Sequence, residues 1–134
     1  MKSRLWMLAL LGILLLGACG RAATNTLALT EDDNGRALTL KPGQVLVIHL
    51  AANPTTGYTW ALGEVNEGVL RQAGEAGYTP APAGQGEVGT GGTAVWRFVA
   101  VGIGTTTLKL VYIRPWEKPP KAAQTFSLTV TVKP

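Results

Sequence analysis

Gln124-Thr125-Phe126-Ser127-Leu128-Thr129-Val130-Thr131-Val132 places Phe126, Leu128, Val130 and Val132 in strict alternation with polar or small residues. Only an extended chain puts every second side chain on one face, so this stretch reads as a strand with one buried side. Working back from it, Thr105–Ile113 and Ala94–Val101 are two further clear strands, separated by Gly102-Ile103-Gly104. Gln44–Leu50 sets Val45, Val47 and His49 on one face against Leu46, Ile48 and Leu50 on the other. Thr59–Val65 and Val69–Tyr78 complete the middle of the chain. Near its start, Thr26–Thr30 and Ala37–Leu40 flank Asp32-Asp33-Asn34-Gly35, whose Asn-Gly is a strong turn signal, and Lys41-Pro42-Gly43 makes another turn.

No segment of residues 26–134 shows a helical period. Seven or eight short strands without crossover helices predict two antiparallel sheets packed face to face, an immunoglobulin-like β-sandwich. An open barrel is the alternative. Helix content is expected to be close to nil.

The first residues read as an address rather than as fold. Lys2 and Arg4 precede an apolar run from Leu5 to Leu16, interrupted by Gly12. About 20 apolar residues are needed to cross a bilayer, so the run is short for a spanning helix and fits a secretory signal. Leu16-Gly17-Ala18-Cys19 resembles the bacterial lipobox, in which the signal is cut before the cysteine and that cysteine is lipidated. The alternative is an ordinary cleaved signal that contains a cysteine. Gly20 after the cysteine, in place of aspartate, resembles the pattern routed to the outer membrane of the bacterial envelope. The expected plan is a signal over 1–18, a lipidated Cys19 with a short tether to residue 25, and one domain over 26–134. Fully extended, six tether residues reach on the order of 20 Å, which keeps the domain close to its membrane.

Composition narrows the function. Loss of residues 1–18 removes Lys2 and Arg4, so 12 basic residues fall to 10 against 8 acidic, a net charge of +2. That balance, with no basic patch interleaved with aromatics, argues against a nucleic-acid partner. Cys19 is the single cysteine, so the exported domain has no disulfide and holds together by apolar burial. His49 lies inside a strand and reads as a packed or surface residue more readily than as a base. Apart from Ser3, the one serine is Ser127, also within a strand. No nucleophile–base pair, metal-ligand cluster or cofactor motif is present, which speaks against an enzyme and implies no cofactor.

Three loops remain. Asn53-Pro54-Thr55-Thr56-Gly57-Tyr58 starts a turn at Asn-Pro, can turn again at Gly57, and holds two β-branched hydroxyl residues between. On its own it can be a structural turn, and the other two loops shift that weighting. The second loop spans roughly 79–93 and ends Gly89-Thr90-Gly91-Gly92-Thr93, where missing side chains let a partner reach the backbone. The third is Arg114-Pro115-Trp116-Glu117-Lys118-Pro119-Pro120, stiffened by prolines and carrying an indole and a guanidinium of the kind that dominate interfaces. The alternative for Trp116 is a buried sandwich tryptophan, although Trp60 and Trp96, within strands, are better core candidates. Two strands separate each loop from the next, and antiparallel strands reverse direction, so all three are expected at one pole.

Asn53-Pro54-Thr55-Thr56-Gly57-Tyr58, Gly89-Thr90-Gly91-Gly92-Thr93 and Tyr112-Ile113-Arg114-Pro115-Trp116, in this order, resemble the chagasin family of cysteine-peptidase inhibitors. The resemblance implies an immunoglobulin-like sandwich whose three loops form a wedge that blocks the active-site cleft of papain-family peptidases, reversibly and uncut. It places Thr55 and Thr56 nearest the catalytic cysteine and histidine, Gly91 and Gly92 along one wall, and Arg114 and Trp116 on the other. Tyr58 stands where some relatives have phenylalanine. A monomer bound to a papain-family peptidase is the implied assembly. The rival reading is a non-inhibitory immunoglobulin-like adhesion or assembly module of the bacterial envelope.

Overall fold

A computed structural model describes residues 25–82 and 91–134. Nine strands follow one another: β1 Thr26–Thr30, β2 Ala37–Leu40, β3 Val45–Ala52, β4 Thr59–Glu64, β5 Leu70–Gln72, β6 Gly77–Pro80, β7 Gly92–Ala100, β8 Gly104–Ile113 and β9 Gln124–Val132. The only helical turns among the described residues are two three-residue 3₁₀ turns, Glu31–Asp33 and Pro54–Thr56. One sheet runs β1-β3-β7-β5, with β6 also on β7, and the other runs β2-β9-β8-β4.

The core lies between the sheets and follows the alternation of each strand. Ala94, Trp96, Phe98 and Ala100 of β7 face Leu108, Leu110 and Tyr112 of β8 and the apolar face of β9, all buried. In β3 the buried core face is Leu46, Ile48 and Leu50. Such a layer is close-packed, so a missing ring leaves a void that neighbours fill only in part.

Two features depart from a sandwich of hairpins. The first concerns strand direction: β1 pairs with β3 in parallel and β2 with β9 in parallel, so the sheets are not antiparallel throughout. Asp32-Asp33-Asn34-Gly35 is therefore a corner between sheets rather than a hairpin turn. A capping box makes that corner: Asp33 Oδ2 accepts the Thr30 N–H at 2.9 Å, and the Thr30 hydroxyl accepts the Asp32 N–H. Asp33 Oδ1 also accepts from Arg36 at 2.7 Å. The Thr30 amide first, and the Arg36 guanidinium second, hold the Asp33 carboxyl below its ordinary range. Its stabilising effect is thus present above the ordinary aspartate pKa and fades as pH falls through the lowered value. The second feature is that residues 69–78, expected as one strand, divide into β5 and β6 around Gly74, whose φ of 76° breaks the extended run. Both pieces pair with β7.

Strand direction sorts the loops. Ala52 at the end of β3 and Pro80 at the end of β6 both pair with Gly92 at the start of β7. Thr59 at the start of β4 pairs with Ile113 at the end of β8. The segments after Ala52, before Gly92 and after Ile113 therefore emerge at one pole.

Phe98 is fully buried at the centre of this layer. Phe98→Ala should destabilise the domain by about 3–5 kcal/mol, read as a lowered midpoint in urea unfolding.

Candidate functional site

At that pole, Asn53 organises the first loop from inside. As N-cap of the Pro54–Thr56 turn it accepts, through Oδ1, the Thr55 N–H at 3.2 Å and the Thr55 hydroxyl at 2.6 Å. Its carbonyl accepts the Thr56 hydroxyl at 2.7 Å, and Thr56 Oγ1 in turn accepts the Tyr58 N–H at 3.4 Å. A hydroxyl has one proton to donate. Both threonine protons are used within the loop, so exposed Thr55 and Thr56 present oxygen lone pairs and methyl groups outward. Gly57 closes the turn at φ 81°, a left-handed conformation that favours glycine.

The loop is braced against β3 and β8 by side chains from three places. Tyr112 Oη accepts the Asn53 N–H at 2.9 Å. The Trp60 indole N–H donates to the Ala51 carbonyl at 3.0 Å, while Glu31 Oε2 accepts the Ala51 N–H at 2.9 Å. Aromatic faces continue the brace outward: Trp60 tilts onto Tyr112 with ring centroids 5.0 Å apart, and Tyr112 stacks on Tyr58 at 5.3 Å. The Arg114 guanidinium then lies 4.5 Å from the Tyr58 ring centre. Its Nη1 is 3.7 Å from Glu117 Oε1, a half-exposed pair that adds little by itself.

The flanking loops touch the central one on opposite sides. A Cβ on Gly91, at φ 70°, would lie 2.8 Å from the Ala52 carbonyl and 3.3 Å from Asn53 Cβ. A Cβ on Gly92 would collide with the Thr79 carbonyl of β6. These glycines are therefore demanded by packing, besides leaving their backbone bare. On the other side the Trp116 indole lies over Gly57 so closely that any side chain there would strike it. Trp116 is nonetheless 66% exposed, which excludes the buried alternative. Pro54 and Pro115 are exposed, and Asn53, Tyr58 and Arg114 are half-buried. Gly89 and Cys19 lie outside the described residues.

Beside the loops, a cleft of about 420 Å³ opens between β4 and β6. Buried Trp60 and Trp96 lie behind the more exposed Tyr78 and Trp116. The Trp96 indole N–H is buried without a hydrogen-bond acceptor among the described residues.

The sequence singled out eleven of these described positions, from Asn53 to Trp116, but not their supports. Tyr112 was legible as a strand residue, yet its hydroxyl partner is 59 positions away. Glu31 sits next to a turn and reads as a surface acid until the chain brings it to Ala51. Tyr78 reads as the end of a strand and turns out to line the cleft.

Comparison with known proteins comes down on one group. The sequence profile described as Chagasin family peptidase inhibitor I42 matches residues 39–130. Chagasin of Trypanosoma cruzi is 30% identical over 104 residues, covering 75% of this chain and 92% of that protein. Amoebiasin-1 of Entamoeba histolytica is 35% identical over 107 residues, covering 80% of this chain and all of that protein. The crystal structure of a cysteine protease inhibitor from Entamoeba histolytica superposes with a TM-score of 0.72 at 28% identity, covering 81% of this chain and 96% of that one.

Tyr112→Phe keeps the ring stack and deletes the acceptor for the Asn53 N–H. It should lower unfolding stability by only about 1 kcal/mol. Gly57→Ala should do worse, since it combines a strained φ with a collision against Trp116. Thermal melts of the two variants, run side by side, check that order.

Proposed function

This chain belongs to the chagasin family of peptidase inhibitors, and from that premise we propose that it reversibly inhibits papain-family cysteine peptidases by filling their active-site cleft. The observation that carries the reading is the meeting of residues 53–58, 91–92 and 114–116 on one pole, with Thr55 and Thr56 at the crest and Trp116 exposed beside them.

The chemistry of each part suits that role. A papain-type site holds a thiolate beside a protonated histidine. Thr55 and Thr56, whose hydroxyl protons are already committed, offer oxygen acceptors to that imidazolium and methyl groups to the walls. Their peptide bonds are held in a 3₁₀ turn by Thr56 N–H to Asn53 O at 3.2 Å and Gly57 N–H to Pro54 O at 3.0 Å. A bond fixed in a turn is not presented in the extended geometry that nucleophilic attack requires, which supports inhibition without cleavage. Gly91 and Gly92 approach one wall with bare backbone, while Arg114, Pro115 and Trp116 meet the other, where aromatic surface is available for stacking. Internal hydrogen bonds, prolines and the aromatic stack leave little conformational freedom to lose on docking. A contact of standard size, about 800 Å² per partner, can then be tight.

We also read Cys19 as a lipidated residue that anchors the domain to the bacterial envelope. Support comes from the Leu16-Gly17-Ala18-Cys19 run and the short tether that follows.

Titration of the purified protein against papain should give competitive inhibition, with the inhibitor intact by mass at the end and chymotrypsin unaffected. Activity that stays unchanged would favour the adhesion-module reading. Trp116→Ala should weaken inhibition by about 2 kcal/mol, roughly thirtyfold, with its melting temperature unchanged because the indole is largely exposed.

A further inference from the structure

The pole opposite the wedge carries a second exposed apolar feature. Among the described residues the exposed large hydrophobic side chains are Tyr78, Val101, Ile103 and Trp116. Tyr78 and Trp116 belong to the wedge end, by the cleft. Val101 and Ile103 are 40% and 58% exposed and sit two positions apart in the β7–β8 turn, at the other end. Among the described residues, exposure of large apolar groups is thus confined to the two poles.

The turn has defined neighbours. Gly43 N–H donates to the Ala100 carbonyl at 2.8 Å, which brings the Lys41-Pro42-Gly43 turn beside Val101. Gly104 pairs with Val132, so Lys133 continues β9 alongside the turn that carries Ile103. Asn25, Lys41 and Lys133 line one depression at this pole. Asn25 is where the described chain begins, its carbonyl accepting the Val45 N–H, and the five residues 20–24 separate it from Cys19. Six residue steps from Cys19 to Asn25 span at most about 22 Å. Whatever surface holds Cys19 is therefore within reach of this pole, and the wedge points away from it at the far end of β3, about 25 Å on.

We propose that Ile103 and Val101 form a foot that enters the lipid surface beside the anchor, with Lys41 and Lys133 at the headgroup level. Apolar groups on a narrow turn gain by burial at the acyl boundary, and lysine stems reach back to anionic headgroups. Glu67, in the loop whose Gly68 packs against Gly102, offsets part of the basic charge. The foot orients the wedge outward, where a peptidase can reach it. It rests on the reading of Cys19 as lipidated, not on peptidase inhibition.

The test uses the mature full chain, purified from membranes and reconstituted in phosphatidylethanolamine–phosphatidylglycerol vesicles, with acylation of Cys19 read by mass. An environment-sensitive fluorophore on Ile103→Cys should be quenched several-fold more by acyl-chain nitroxide lipids than the same label on Thr55→Cys at the wedge. Val101→Cys repeats the measurement at a neighbouring position should the first variant misfold. Acylated protein with equal quenching at both ends overturns the foot and leaves the anchor. A label at 103 shielded from aqueous iodide yet untouched by lipid nitroxide overturns it in favour of a second copy of the chain. Absence of acyl chains on Cys19 overturns the anchor and the foot together.

Discussion

The hydroxyl of Tyr112 meets the backbone N–H of Asn53 at 2.9 Å, and the ring beneath it is pressed between Trp60 and Tyr58. One side chain thereby joins the end of β8 to the loop leaving β3 and to the start of β4. Asn53 passes the constraint on, since its amide oxygen and carbonyl shape the turn that carries Thr55 and Thr56. Tyr58 passes it in the other direction, to the guanidinium of Arg114. A loop of six residues without such ties would sample many conformations, and ordering it on binding would consume much of the contact energy. Here the ordering is done by folding.

The glycines of the site have a double purpose for the same reason. Gly57, Gly91 and Gly92 lie where neighbouring atoms leave no room for a Cβ, so the three loops close on one another. Their compactness is what makes a thin wedge possible, and the bare backbone at residues 91–92 follows from it. The exposed groups left at the tip and at its edge are Thr55, Thr56 and Trp116.

Much of this was legible in the residues, and the reasons it was not complete are physical. Alternation in β7, β8 and β9 identifies buried faces because a one-residue slip would turn every apolar side chain outward. The placement of three loops at one pole follows from strand parity, and splitting one strand at Gly74 leaves that parity intact because β5 and β6 run the same way against β7. Parallel pairing of β1 and β2 was not legible, because a parallel neighbour is distant in sequence and Asn34-Gly35 carries an ordinary turn signature. Trp116 could be taken for core or surface from its type alone, and its 66% exposure in the folded chain decides it. The bracing by Glu31, Trp60 and Tyr112 depends on atoms brought together across 20, 9 and 59 positions, which no local pattern encodes.

If three separate segments act as one plug, a docked peptidase covers all of them at once. Amide hydrogen exchange of the protein, alone and with papain whose catalytic cysteine is reversibly blocked, reads out that coverage. Slowed exchange at residues 55–58, 91–92 and 114–117 together, with residues 41–44 and 101–104 unchanged, is the predicted result. Protection limited to a single segment, or appearing at the opposite pole, would contradict it.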